Sequence, residues 1–293
     1  MGLRVLSICG GLETGLLALK ELGIPVDEYH TYEIFTPAIE LSKKHFPEVQ
    51  HHGDVIGADF SQFKGFDLVI AGTCCQSLSK LRQENKDVCS GLKGKSGIFF
   101  EYARAVQEIK PQWYMLENVV PKNKVDQDTI TATLGGADPI LINSALFSAQ
   151  ERKRLYWSNI PIAALPESNP LVLQDIMISD APEKDYYNKP YIFHGEDKKV
   201  IATIQDNWLD ITKRVYNPAF KCATLTCVSG GHQEKKVWDR GRIRKLSPIE
   251  YERLQTLPDG FTEGYSDNVR RTLCGNGRTK EVIKHIFKGL ITI

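Results

Sequence analysis

Asp67-Leu68-Val69-Ile70-Ala71-Gly72-Thr73-Cys74-Cys75-Gln76 decides the fold. Residues 68–71 are an unbroken apolar run, the pattern of a short strand covered on both faces. The run stops at a glycine and gives way to thiols and a polar side chain. The same pattern recurs on either side. Upstream, residues 4–8 read as a strand ending at Gly10-Gly11, and residues 13–22 carry Leu16, Leu17 and Leu19 at helical spacing. Residues 29–32 end a second strand with Glu33 at its tip, 36–45 read as a helix, and Gly53-Asp54-Val55 follows a short third strand. Downstream, Ile98, Tyr102, Val106 and Ile109 share one helical face, and residues 113–116 form a strand closed by Glu117-Asn118. Strands alternating with helices predict an α/β fold with a doubly wound, mostly parallel sheet. Ligands of such sheets sit beyond the C-terminal strand ends. Glu33, Asp54, Cys75 and Glu117 all fall there.

From about 163 to 245 prolines, aromatics and short segments replace the alternation, and a smaller, irregular domain is expected. Lys235, Lys236, Arg240, Arg242, Arg244 and Lys245 predict a basic edge on it. Residues 281–290 return to helical order, with Val282, Ile283, Ile286, Phe287 and Leu290 on one stripe expected to dock on the first domain. The expected division is 1–162 plus 255–293 for the larger domain and 163–254 for the smaller.

The chain has 293 residues, 42% hydrophobic and 25% charged, enough for a sizeable core. A net charge of +1 neither demands nor excludes a nucleic-acid partner, so any basic surface is local. No apolar run is long enough for a membrane span, and the N-terminus reads as a core strand rather than a signal peptide. The seven cysteines are odd in number and form no C-x-x-C, which favours neither a disulfide framework nor a zinc site. No metal ligand set is expected, and a reducing cytoplasm fits best.

Individual residues then carry the chemistry. Cys75 follows a buried strand and a glycine and precedes a stretch spaced by Gly91, Gly94 and Gly97, the composition of a closing loop. A local positive potential there would lower the thiol pKa and make a nucleophile. Glu117, at the dry end of an apolar strand, suits proton donation. Gln150-x-Arg152-x-Arg154 in an extended segment would aim three polar side chains at one surface, fitted to phosphate or developing negative charge. Gly10-Gly11-x-x-Thr14-Gly15, between strand and helix, suits a nucleotide-like cofactor, with Glu33 on a ribose hydroxyl pair and Asp54 on an exocyclic amine.

Taken in order, these pieces resemble the cytosine-5 DNA methyltransferase family, nearly end to end. Residues 67–76 look like its strand and Pro-Cys-Gln nucleophile loop, and Leu116-Glu117-Asn118-Val119 matches its Glu-Asn-Val motif. Residues 150–154 match Gln-x-Arg-x-Arg, residues 244–255 resemble the motif that closes the target-recognition region, and Gly275-Asn276-Gly277 resembles the last cofactor-side motif. The opening, with Thr14-Gly15-Leu16-Leu17, is similar to the de novo vertebrate branch, whereas the compact length is more bacterial or phage-like. The resemblance implies a Rossmann-like fold that uses S-adenosylmethionine, with a target-recognition domain. It implies that Cys75 adds to carbon 6 of a flipped-out cytosine, that Glu117 contacts the ring nitrogen and amine, and that Arg152 and Arg154 hold the base and the loop. Cofactor contacts are implied for Cys9, Gly10, Gly11, Leu12, Glu13, Thr14, Glu33, Ile34, Asp54, Val55, Asn276 and Arg278. Substrate contacts are implied for Gln76, Ser79, Asn118, Gln150, Lys235, Lys236, Arg240 and Arg242. The expected partner is double-stranded DNA, bound by a monomer in the cytoplasm of a bacterium or a phage-infected host.

The chain departs from the family at clustered positions. Cys74 stands where proline is usual, Cys9 where a cofactor-packing phenylalanine is usual, and Gly10 where the branch with the closest opening has aspartate. Glu13 adds a charge to the loop, and Arg278 replaces an apolar or aromatic residue. Two expectations follow: weakened binding of S-adenosylmethionine, or a pocket re-charged for a modified analogue, with Arg278 meeting an added anion. Two other readings keep the fold, a non-catalytic DNA-binding paralogue and a tRNA methyltransferase. The thiol–Glu–Arg set argues against the first, and the missing Cys-Phe-Thr signature against the second.

Overall fold

The computed structural model describes residues 2–72, 97–230 and 232–291. It divides into two compact units: Met1–Ile142 with Lys153–Ala164 and Val282–Ile293, and Asn143–Arg152 with Leu165–Glu281. Residues 143–152 and 255–281, expected in the larger domain, group with the second unit, and residues 163–164 group with the first.

The first unit contains β1 (Leu3–Ile8), α1 (Thr14–Glu21), β2 (Val26–Tyr32), α2 (Thr36–His45), β3 (Gln50–His51), β4 (Leu68–Gly72), α3 (Ile98–Ile109), β5 (Trp113–Val119), α4 (Lys124–Thr133), β6 (Ile140–Asn143) and β7 (Lys153–Ser158). They form a seven-stranded sheet in the order β3-β2-β1-β4-β5-β7-β6. Strands β3 to β5 are parallel along that order, and β7 runs antiparallel to β5. The doubly wound, mostly parallel sheet read from the sequence is therefore the fold. Leu6, Ile8, Val69, Ala71, Leu116 and Trp157 from the strands and Phe99 and Tyr102 from α3 share one apolar cluster. Burial of such side chains is the main stabilising term.

One strand end moves. β5 does not stop at Leu116 but continues through Glu117 and Asn118 to Val119. Its backbone is matched to β4 as far as Gly72 and to β7 from Met115 to Val119, so ladder bonds carry it past the last apolar residue.

The second unit contains β8 (Tyr186–Tyr187), β9 (Tyr191–Phe193), β10 (Val200–Ile204), α5 (Asp210–Lys213), β11 (Arg214–Tyr216), β12 (Lys236–Asp239), β13 (Arg242–Lys245), α6 (Pro248–Leu254) and α7 (Asp267–Asn276). Where irregular structure was expected, a six-stranded sheet forms in the order β8-β13-β12-β11-β10-β9. Its core holds Ile201, Ala202, Ile204, Val215 and Ile243. Strands this short show too few alternations to be seen as a period. The final helix, α8 (Lys280–Phe287), buries Val282, Ile283, Ile286 and Phe287, and its Lys284 reaches Glu21 of α1 at 2.8 Å. No helix among the described residues is long and apolar enough to cross a membrane.

Candidate active site

The loop between β1 and α1 is built by β2. Tyr29, Thr31 and Glu33 alternate along β2 and its tip, so their side chains leave on the same face. All three meet the loop. Tyr29 Oη and Thr31 Oγ1 donate to the two carboxylate oxygens of Glu13 at 2.8 and 2.7 Å. Glu33 accepts from the Gly11 amide at 2.9 Å with one oxygen, and from the Ile34 and Phe35 amides with the other. Glu33 thereby ties the loop to the start of α2, where main-chain amides are otherwise unpaired. Cys9 and Glu13 hold φ of 53° and 48°, a left-handed conformation that costs a non-glycine residue about 1 kcal/mol or more.

Other residues expected at the cofactor divide by exposure. Leu12, Thr14 and Val55 are buried. Ile34 and Ile56, at the ends of β2 and β3, are 66% and 67% exposed, and Asp54 between them in sequence is exposed too. A Cβ on Gly11 would meet nothing, so the loop is open above it. Two carboxylates, main-chain amides and two exposed aliphatic side chains form a donor set that fits a nucleoside linked to an amino acid.

On the next strands, Glu117 is level with Gly72 of β4 on one side and Tyr156 of β7 on the other. Arg154 Nε lies 2.9 Å from Glu117 Oε1, and both side chains are largely buried. The neighbouring Asn118 is buried, and its Oδ1 accepts from the Val119 amide at 2.8 Å. β4 ends at Gly72, shortly before Cys75 in sequence. Cys74, Cys75, Gln76 and Ser79 lie outside the described residues.

Gln150, Arg152 and Arg154 do not face one surface as expected. β7 begins only at Lys153, so strand alternation does not govern the two residues before it. In the second unit Arg152, 4% exposed, donates to the carbonyls of Leu225 (3.1 Å), Gly275 (3.2 Å) and Gly277 (2.9 Å). The last two close the C-terminal end of α7, where a cation is favoured by the helix dipole. Gln150 is also buried; it accepts from Leu225 N at 2.9 Å and donates to the Leu254 carbonyl at 3.1 Å. Gln255 completes this hub, bonding Gly277 O and Thr279 Oγ1. Asn276 is exposed and accepts from Cys227 Sγ at 2.7 Å, whereas Arg278 is buried. Gly275 is required by packing: a Cβ there would lie 2.8 Å from Cys227 N and closer still to the Thr226 carbonyl.

Half of the basic edge expected over 233–245 is interior: Lys235, Lys236 and Arg244. Lys236 is 0% exposed, and its Nζ donates to the His232 and Glu234 carbonyls at 2.7 and 3.0 Å. Burial pushes its ammonium down to about 8, against the opposing pull of Glu234. Lys235 is buried as well, and Arg244 is enclosed between Asp239 and Glu250. On β12 and β13 the adjacent pairs Lys236–Val237 and Ile243–Arg244 are buried, so both faces are covered there. Arg240 and Arg242 remain exposed. Arg240 sits with Gly241 in the two-residue turn, both at positive φ, and Arg242 pairs with Glu183.

Sequence reasoning passed over Tyr29, Thr31 and Gln255. The first two were legible, because the Tyr29-x-Thr31-x-Glu33 spacing puts three polar groups on one strand face. Gln255 had no such signal, since its partners are chosen by the folded chain.

The family model for C-5 cytosine-specific DNA methylase matches residues 3–213 and 171–292. The orphan methyltransferase M.SPRI of Bacillus phage SPR is 28% identical over 53% of this chain and 37% of its own length. M.SPBetaI of Bacillus phage SPbeta, another orphan methyltransferase, is 23% identical over 99% of this chain and 97% of its own. This chain thus spans little more than a third of the first relative and nearly all of the second. Among solved structures, a mutant of Spodoptera frugiperda DNMT2 superposes with a TM-score of 0.70 at 15% identity, over 99% of this chain and 100% of that one. The Dnmt2 methyltransferase of S. pombe gives 0.70 at 16% identity, over 99% and 98%. The folds agree, the family model covers almost every residue, and the chain belongs to the C-5 cytosine-specific DNA methylase family.

Proposed function

We propose that this protein methylates carbon 5 of cytosine in duplex DNA, with Cys75 as nucleophile and S-adenosylmethionine as donor. The observation that carries the reading is the buried Glu117–Arg154 pair, set on the strand beside the end of β4 from which the Cys75 segment departs. Glu117 hydrogen-bonds the ring nitrogen and exocyclic amine of an extruded cytosine and so selects that base. Arg154, 2.9 Å from Glu117 Oε1, orients that carboxyl. Cys75 Sγ bonds to carbon 6, which makes carbon 5 nucleophilic; loss of the carbon 5 proton after alkylation expels the thiolate. When bound, S-adenosylmethionine supplies the methyl group. Glu33 and Asp54 would hold its polar ends beside the loop at Gly11, and Ile34 and Ile56 would offer an apolar face to its base. Arg152 and Gln150 act at one remove, by fixing the segments around Leu225 and Gly275.

Mass analysis of nucleosides after incubation with duplex DNA or tRNA tests this directly. The expected product is 5-methylcytosine in DNA only. A heavier substituent would identify a different donor, and unmodified cytosine in DNA would refute the reading. DNA carrying 5-fluorocytosine should trap the wild-type protein and not Cys75→Ser.

A further inference from the structure

Gly10 is a glycine for an unusual reason. Its φ lies outside the left-handed range, so its backbone is open to any residue. What excludes a side chain is Glu13. A Cβ at position 10 would lie 2.5 Å from Glu13 Cδ, 2.6 Å from Oε2 and closer still to Oε1. The Glu13 carboxylate, 1% exposed, fills the volume that a residue at 10 would otherwise occupy. It is held from beneath by Tyr29 Oη and Thr31 Oγ1. Its own amide donates to the Gly10 carbonyl at 3.1 Å, closing the turn, and its carbonyl accepts the first α1 bond from Leu17 at 3.0 Å. One residue therefore shapes the turn, starts the helix and fills the loop, in a left-handed conformation it would not adopt unaided.

We infer that Glu13 is a positioning residue for the sulfonium-nucleoside donor and works as a coupled pair with Gly10. β2 acts through the Glu13 carboxylate to hold the Gly10–Gly11 turn in the form that receives the donor. The inference rests on the reading of this loop as the donor site. It explains why two positions are altered together: a carboxylate at 13 allows nothing larger than glycine at 10.

Four proteins test it: wild type, Gly10→Ala, Glu13→Ala and the double variant. S-adenosylmethionine is titrated calorimetrically, and each melting temperature is recorded. Each single change should weaken binding about tenfold or more, the scale of a lost hydrogen bond to a charged acceptor. In the Glu13→Ala background, Gly10→Ala should cost less than about twofold, because the clash is gone. Glu13→Gln keeps the volume and can still bond both hydroxyls, so it should retain binding within about threefold. Ile130→Val in α4 serves as a control: it lowers the melting temperature without moving donor affinity. Equal cost of Gly10→Ala with and without Glu13 would overturn the pairing, and wild-type affinity in Glu13→Ala would overturn the positioning role. If wild type binds no S-adenosylmethionine, the donor reading falls. The melting temperatures of the same four proteins then decide the pairing alone, with non-additivity supporting it and additivity refuting it.

Discussion

Replacing Arg152 by methionine should destabilise the second unit before it affects any chemistry. Methionine keeps most of the volume but removes the guanidinium from three carbonyls, those of Leu225, Gly275 and Gly277. A hydrogen bond from a charged donor contributes about 1.5–3 kcal/mol. The three are not additive, and burying the charge has its own cost, so a net loss of about 2–4 kcal/mol is expected. At about 2–4 °C per kcal/mol for a chain of this class, the melting temperature should fall by roughly 5–15 °C. Arg152→Lys should fall in between, because an ammonium cannot span the three acceptors as a planar fork does. Differential scanning calorimetry is the assay, since two compact units can unfold in separate transitions. A melting temperature within about 2 °C of wild type, combined with lost methyl transfer, would show that Arg152 acts on substrate and not as a tie.

Three further outcomes follow from other parts of the chain. His30 Nδ1 and His52 Nε2 are 2.8 Å apart in a stacked pair, and burial lowers the pKa of both and of His51; Glu28 opposes the shift on His30, and Lys43 adds to that on His51. Their contribution to stability is complete above the unfolded value of 6.5 and is lost as pH falls through the lowered folded values, so melting temperature should drop below that pH, and less so in His52→Asn. Burial pushes the Cys222 thiol up to about 12 and raises Cys274 as well, so iodoacetamide at about pH 8 should label neither in the native protein, as peptide mass mapping will show. Ser247 Oγ accepts from Glu250 N at 3.2 Å while Glu250 Oε2 accepts from Ser247 N at 2.6 Å; Ser247→Ala should cost about 1 kcal/mol, read as a fall of about 2–4 °C.

β4 was legible because it is an apolar run cut off by glycine, at residues 68–72. The same logic failed at β5, where two polar residues are strand because both neighbouring strands extend past them. Charge was a poor guide to exposure. Lys235, Lys236 and Arg244 read as a surface and are interior; the His232 and Glu234 carbonyls take up the Lys236 ammonium, and the Asp239 and Glu250 carboxylates the Arg244 guanidinium. Glu33 was legible as a strand-tip carboxylate, but its grip on the Gly11 amide belongs to the folded loop. The hub around Gln150 and Arg152 joins residues more than 70 positions apart, and no local pattern encodes such a distance.

Asn143–Arg152 belongs to the same compact unit as Leu165–Glu281, although β7 separates them in sequence. A unit built this way is discontinuous in sequence and cannot be exchanged as one continuous cassette. Any natural or laboratory exchange between relatives that takes only the later segment leaves Leu225, Leu254 and Gly277 facing a foreign Gln150 and Arg152. Chimaeras survive only where those two side chains are shared by both parents.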